Sequence, residues 1–105
     1  MVEINGKEYG MTFTARARIA TSNWLATHEN ASVDEYRLQR AVSMINAYNK
    51  VHGIKETVKA EDFMDIPNRE LNKLYEAEEK QYNEDSEQEV EAEPKKGKNA
   101  ESTKA

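Results

Sequence analysis

The chain of 105 residues carries two histidines, His28 and His52, and no cysteine. Imidazole changes charge near neutrality, so these are the first places to look for acid–base work or metal ligation. A metal site needs further ligands at suitable spacing. Neither histidine has a second histidine or a spaced carboxylate on its own helix face. Both fall where the residue pattern ends a helix, beside the last, partly negative carbonyls. A cap or dipole contact is therefore expected, with no metal and no cofactor. Nearly all carboxylates fall on solvated faces or in the C-terminal stretch. No G-x-S-x-G, phosphate-binding loop, H-E-x-x-H or G-x-G-x-x-G occurs. The sequence predicts a protein that is not an enzyme.

Four arginines, Arg16, Arg18, Arg37 and Arg40, offer a small basic patch. Glu29, Asp34 and Glu35 lie close in sequence, so solvated helix faces are the simpler account. Trp24, Tyr36 and Tyr48 are expected in the core or at its edge and not as stacking platforms. The charge distribution points the same way. Residues 1–75 hold ten Lys/Arg and ten Asp/Glu, whereas residues 76–105 hold five and ten, the whole excess of −5. A balanced folded part argues against a nucleic-acid binder, which would carry excess positive charge. Apolar runs are only a few residues long, so no membrane span and no signal peptide are expected, and the protein should be soluble and cytoplasmic.

The elements that position these residues are legible. Residues 32–53 read SVDEYRLQRAVSMINAYNKVHG. Ser32 and Glu35 make a capping box. Leu38, Ala41, Val42, Ile45, Tyr48, Val51 and His52 recur at helical steps. Gly53 followed by Ile54 suits a Schellman ending. The helix would be roughly 30 Å long and must bury its stripe against something. Ahead of it, Val2-Glu3-Ile4-Asn5-Gly6-Lys7-Glu8-Tyr9 is a hairpin pattern, with Asn-Gly supplying the positive φ of a type I′ turn. A hairpin alone is marginal in water, so it must lie on a helix. Thr12 or Thr14 can cap a helix over residues 14–28, with Phe13, Ala17, Ala20 and Trp24 inward and Ile19 and Leu25 widening the stripe. The short connection makes this helix an antiparallel neighbour of the central one.

Residues 55–59 read as a polar loop and residues 60–64 as one helical turn. Asp65 is a candidate cap, and Pro67 fits a first turn. Leu71, Leu74 and Tyr75 give the last apolar face, ending near Tyr82. The fold class is mainly α: three to four helices with a short N-terminal β-hairpin. The domain spans residues 1–82, and residues 83–105 form a disordered acidic tail, with too little apolar surface to offset chain entropy. Deleting that tail should leave helicity and melting almost unchanged. Phe63, Met64, Leu71, Leu74 and Tyr75 are the candidate partner-binding residues. They are core if the last helix docks fully, the favoured account, and a partner surface if it docks loosely.

The opening Val2-Glu3-Ile4-Asn5-Gly6-Lys7-Glu8-Tyr9, with the helical stretch from Phe13, resembles the small tail assembly chaperones of long-tailed bacteriophages. These begin with a similar I-N-G-K-x-Y hairpin and then turn all-helical. The resemblance covers the layout of roughly residues 1–80. It implies a non-enzymatic protein of the host bacterial cytoplasm, absent from the mature virion. Such a protein coats the tape-measure protein and recruits tail-tube subunits, without membrane or nucleic acid as partner. A homo-oligomer is compatible with the sequence. The resemblance also implies a longer form made by programmed frameshift, and codons for Lys95-Lys96-Gly97-Lys98 can build a slippery heptamer. The sequence of the gene decides that point. The alternatives are a structural minor tail or head–tail connector protein kept in the particle, and a small regulatory binder.

Overall fold

The computed structural model describes residues 1–91, with side chains described through Ser86. The central helix, α2 (Val33–Val51), starts where its cap requires. Ser32 Oγ accepts from the Glu35 N–H at 3.1 Å, and Glu35 Oε1 accepts from the Ser32 N–H at 2.8 Å. It stops on Gly53, whose φ is +69°. There the Ile54 N–H reaches the Asn49 carbonyl and the Gly53 N–H the Lys50 carbonyl, the paired bonds of a Schellman ending.

Preceding it are strands β1 (Val2–Ile4) and β2 (Lys7–Tyr9), and helix α1 (Ala15–Ala26). The strands pair antiparallel, Val2 opposite Tyr9 and Ile4 opposite Lys7. Asn5 and Gly6 take φ of 52° and 88°, as a type I′ turn demands. Thr14 caps α1 by accepting from the Ala17 N–H. The Thr12 N–H donates to the Met44 carbonyl, while the far end of α1 runs through a short connection into the start of α2. The two helices are therefore antiparallel, as expected.

After α2 the chain turns back along it. Asn46 grips the Val58 backbone twice: its Nδ2 donates to the Val58 carbonyl and its Oδ1 accepts from the Val58 N–H. Asn49 Nδ2 donates to the Glu56 carbonyl. These two amides turn the expected polar loop into an anchored strap, with Val58 in the core. A 3-10 turn (Ala60–Phe63) leads to α3 (Asn68–Glu91). The first bonds of α3 run from the Glu70 and Leu71 N–H groups to the Pro67 carbonyl, so Pro67 and not Asp65 stands at the helix start.

The core is centred on α2, with Leu38, Ala41, Val42, Met44, Ile45 and Ala47 buried together with Ile4, Met11, Ala17, Val58, Phe63, Leu74 and Tyr75. Residues 41–45 are buried without interruption. The one-sided stripe of the sequence reading is thus too narrow: α1, α3 and the strap each cover part of α2. The predicted stripe also fails at its C-terminal end, where Val51 is exposed and the helix turns Asn46 and Asn49 towards the strap.

The helix expected to end near Tyr82 continues to Glu91. Asp85 Oδ2 accepts from the Phe13 N–H at 2.7 Å, and the Phe13 and Tyr82 rings meet edge-on at 4.7 Å. The expectation that everything beyond residue 82 hangs free is corrected by that contact. Residues 92–105, including the Lys95-Lys96-Gly97-Lys98 run and the rest of the expected disordered tail, lie outside the described residues.

Candidate partner surface

The two histidines share one geometry. His28 Nδ1 lies 2.7 Å from the Trp24 carbonyl, and the imidazole stacks on the indole at 4.2 Å. His52 Nδ1 lies 2.9 Å from the Tyr48 carbonyl, and the rings stack at 4.0 Å. Each of these carbonyls already accepts a backbone N–H, from Thr27 and from His52, so each imidazole adds a further contact at its helix end. This is the cap contact the sequence suggested. Among the described residues no group of three His, Cys, Asp or Glu is placed to hold a metal ion. No described helix is long and apolar enough to cross a membrane.

The four arginines do not form one patch. Arg37 and Arg40 are half-buried between α2 and α3. Arg40 Nε donates to Glu78 Oε2, and its guanidinium lies 4.1 Å from the Tyr82 ring centre. Burial opposes the charge on Arg40, but the hydrogen bond and the charge of Glu78 outweigh it and raise its pKa above the ordinary value. Arg37 packs on the Tyr75 ring at 4.4 Å and reaches Glu79 at 3.6 Å. The Tyr75 hydroxyl donates to the Asp34 carbonyl and Oδ1. The solvated-face account is thus wrong for Arg37 and Arg40. Sequence spacing within α2 could not reveal their carboxylate partners, 42 and 38 residues on. Arg16 and Arg18 stay on the exposed side of α1.

Of the five candidate partner-binding residues, Phe63, Leu74 and Tyr75 are buried, and Leu71 is half-buried against the same core. Only Met64 is open, at 54 % exposure. The last helix docks fully, so these five do not form a joint surface in this conformation.

Exposed aliphatic side chains are spread over several elements: Ile19 and Leu25 on α1, Val33 and Val51 at the two ends of α2, and Ile54 after it. α1 was expected to turn Ala17, Ala20, Ile19 and Leu25 inward. Ala17 and Thr21 are the buried pair instead, at 0 % and 4 % exposure, whereas Ile19 and Leu25 are 59 % and 43 % exposed. Thr21 can enter the interior because its hydroxyl donates to the Ala17 carbonyl at 2.8 Å, which removes the desolvation cost. Ala17 and Thr21 are small, so α1 can approach α2 closely. Burying an Ile or Leu side chain stabilises by about 1.5–3 kcal/mol. Ile19 and Leu25 each realise only part of that gain.

A concavity of about 830 Å³ opens between the hairpin, the end of α2 and one face of α3. Gly10, Met11 and Ala77 line it together with Lys73, Glu76, Lys80 and Glu84. Charges of both signs alternate along its α3 wall, so it favours no one class of ligand. Comparison of the chain with protein-family models, with curated proteins and with solved structures finds no match.

Proposed function

We propose that this protein is a tail assembly chaperone of a long-tailed bacteriophage or prophage. It acts in the host cytoplasm without enzymatic chemistry, holds the tape-measure protein and helps to recruit tail-tube subunits. The observation that carries this reading is the opening Ile4-Asn5-Gly6-Lys7-Glu8-Tyr9 hairpin, closed by its Asn5–Gly6 turn and followed by an all-helical unit. That is the layout the resemblance implies. The hairpin is tied to the helical part at three points: the Asn5 N–H donates to Glu70 Oε1, Lys7 pairs with Glu56, and Tyr9 packs on Phe63. A tape-measure protein is long, helical and apolar-striped before the tube encloses it. A small helical domain with open aliphatic side chains can cover such stripes by helix-on-helix contact. Holding of this kind works by mass action.

Quantitative mass spectrometry of infected cells and of purified particles tests the role. The chaperone reading requires the polypeptide to be abundant in the cells and missing from the particles. Stoichiometric retention in particles would instead make it a minor tail or connector protein.

A further inference from the structure

We infer that Asn5 is a site of spontaneous covalent modification, its side-chain amide converting to aspartate and isoaspartate, and that Glu70 on α3 restrains the reaction by holding the turn closed.

The groups that react lie together in the turn. Asn5 and Gly6 are both exposed, and a Cβ built on Gly6 would meet nothing within 4 Å. The Gly6 N–H finds no acceptor among the described residues, so its nitrogen is available as a nucleophile. The other described asparagines differ. Asn30 is also exposed in a turn, but Ala31 follows it, with a Cβ in the way and its N–H donated to the His28 carbonyl. Asn23, Asn46, Asn49, Asn68, Asn72 and Asn83 lie in helices, each followed by a residue with a side chain.

In the first step the Gly6 nitrogen bonds to Asn5 Cγ. Its proton leaves with the side-chain amide as ammonia, and a five-membered succinimide remains. Water then adds to the ring. Cleavage of the bond between the nitrogen and Cγ gives aspartate. Cleavage of the bond between the nitrogen and the Asn5 main-chain carbonyl carbon gives isoaspartate. One water is consumed, one ammonia is released and nothing is oxidised or reduced.

The closed turn opposes the first step. In a type I′ turn the Gly6 nitrogen points away from the Asn5 side chain, so the peptide must rotate before attack. The Asn5 N–H donates to Glu70 Oε1 at 2.7 Å, and Lys73 holds that carboxylate at 3.1 Å. Rotation of Asn5 strains the first of these contacts. The two products then differ in consequence. Aspartate suits the first position of a type I′ turn. Isoaspartate adds a CH2 to the main chain, and a two-residue turn so lengthened does not keep Ile4 opposite Lys7.

The test is peptide mapping by mass spectrometry after the full chain is incubated in mildly alkaline buffer, with isoaspartate counted by methyltransferase labelling. Conversion at Asn5 should run about tenfold faster than at Asn30, because glycine presents no Cβ to the attack. It should rise with pH, since the deprotonated Gly6 nitrogen attacks. Glu70→Ala should speed it several-fold by letting the turn open more often. Amide exchange at Lys7 should quicken in the isoaspartate fraction and not in Asn5→Asp. The same chain in urea, with the turn melted, gives the unrestrained rate, and the folded chain should fall below it. Equal rates at Asn5 and Asn30, or none at Asn5, would overturn the site. Equal rates in urea and in the folded chain, or no change in a folded Glu70→Ala variant, would overturn the restraint.

Discussion

Glu78 is fully buried and its carboxylate meets the guanidinium of Arg40 between α3 and α2. Its second oxygen, Oε1, has no hydrogen-bond partner among the described residues. The α2–α3 seam therefore contains one buried ion pair, beside the Tyr75–Asp34 and Arg37–Glu79 contacts. Breaking such a pair by removing one member leaves an uncompensated charge in the interior.

Arg40→Leu should therefore cost about 3–5 kcal/mol, because it strands the Glu78 carboxylate. Arg40→Leu combined with Glu78→Leu should recover most of that loss. Urea denaturation of the two singles and the double measures the coupling.

Gly10 touches Tyr48 so closely that a Cβ there would lie 2.3 Å from the phenol ring. Gly10→Ala must push that ring aside, at a cost of about 1–3 kcal/mol. Gly10→Ala in a Tyr48→Ala background should cost much less than in the unaltered chain. Thermal melts of the three variants check this.

Asp85 accepts the Phe13 N–H just ahead of α1. Asp85→Ala should destabilise by about 1–2 kcal/mol, as expected for a hydrogen bond to a charged acceptor. Deleting residues 83–105 should cost at least as much, against the sequence-based expectation of no effect. Amide exchange at Phe13 reports the same loss locally.

Two ionisable groups give stability a defined pH dependence. Burial, and then Asp34, pushes the Tyr75 hydroxyl up to about 12. A folded pKa above the unfolded value means stability present below the ordinary value of 10 and lost as pH rises from there towards 12. The Asn5 N–H, and then Lys73, hold the Glu70 carboxyl below its ordinary 4.5. Its contribution is present above 4.5 and lost as pH falls through the lower folded value. Phenolate absorbance, compared with a Tyr75→Phe variant, should show Tyr75 titrating late, and the Asn5 amide shift should follow Glu70.

Local signals were read correctly from the sequence. The capping box at Ser32, the left-handed stop at Gly53 and the Asn5–Gly6 turn are set by neighbouring residues, so a one-dimensional pattern contains them. What the pattern missed depends on long-range partners. Thr21 looks polar until its hydroxyl is seen on the Ala17 carbonyl, and it displaces Ala20 from the predicted stripe. Arg40 looks solvated until Glu78 arrives from α3. Asn46 and Asn49 look like helix-surface amides until the strap folds back on them. Phe63, Leu74 and Tyr75 are core, as the favoured account of the sequence has them. The last helix is held by Arg37, Arg40, Asp34 and the hairpin, contacts that no local pattern contains.

The central claim is that this domain holds a helical tail protein in solution. The most direct measurement is the partition of the tape-measure protein between supernatant and pellet, expressed with and without this chain. The account predicts a soluble complex containing both when they are made together and a pellet when the chain is omitted. A tape-measure protein that pellets equally in both cases would contradict it.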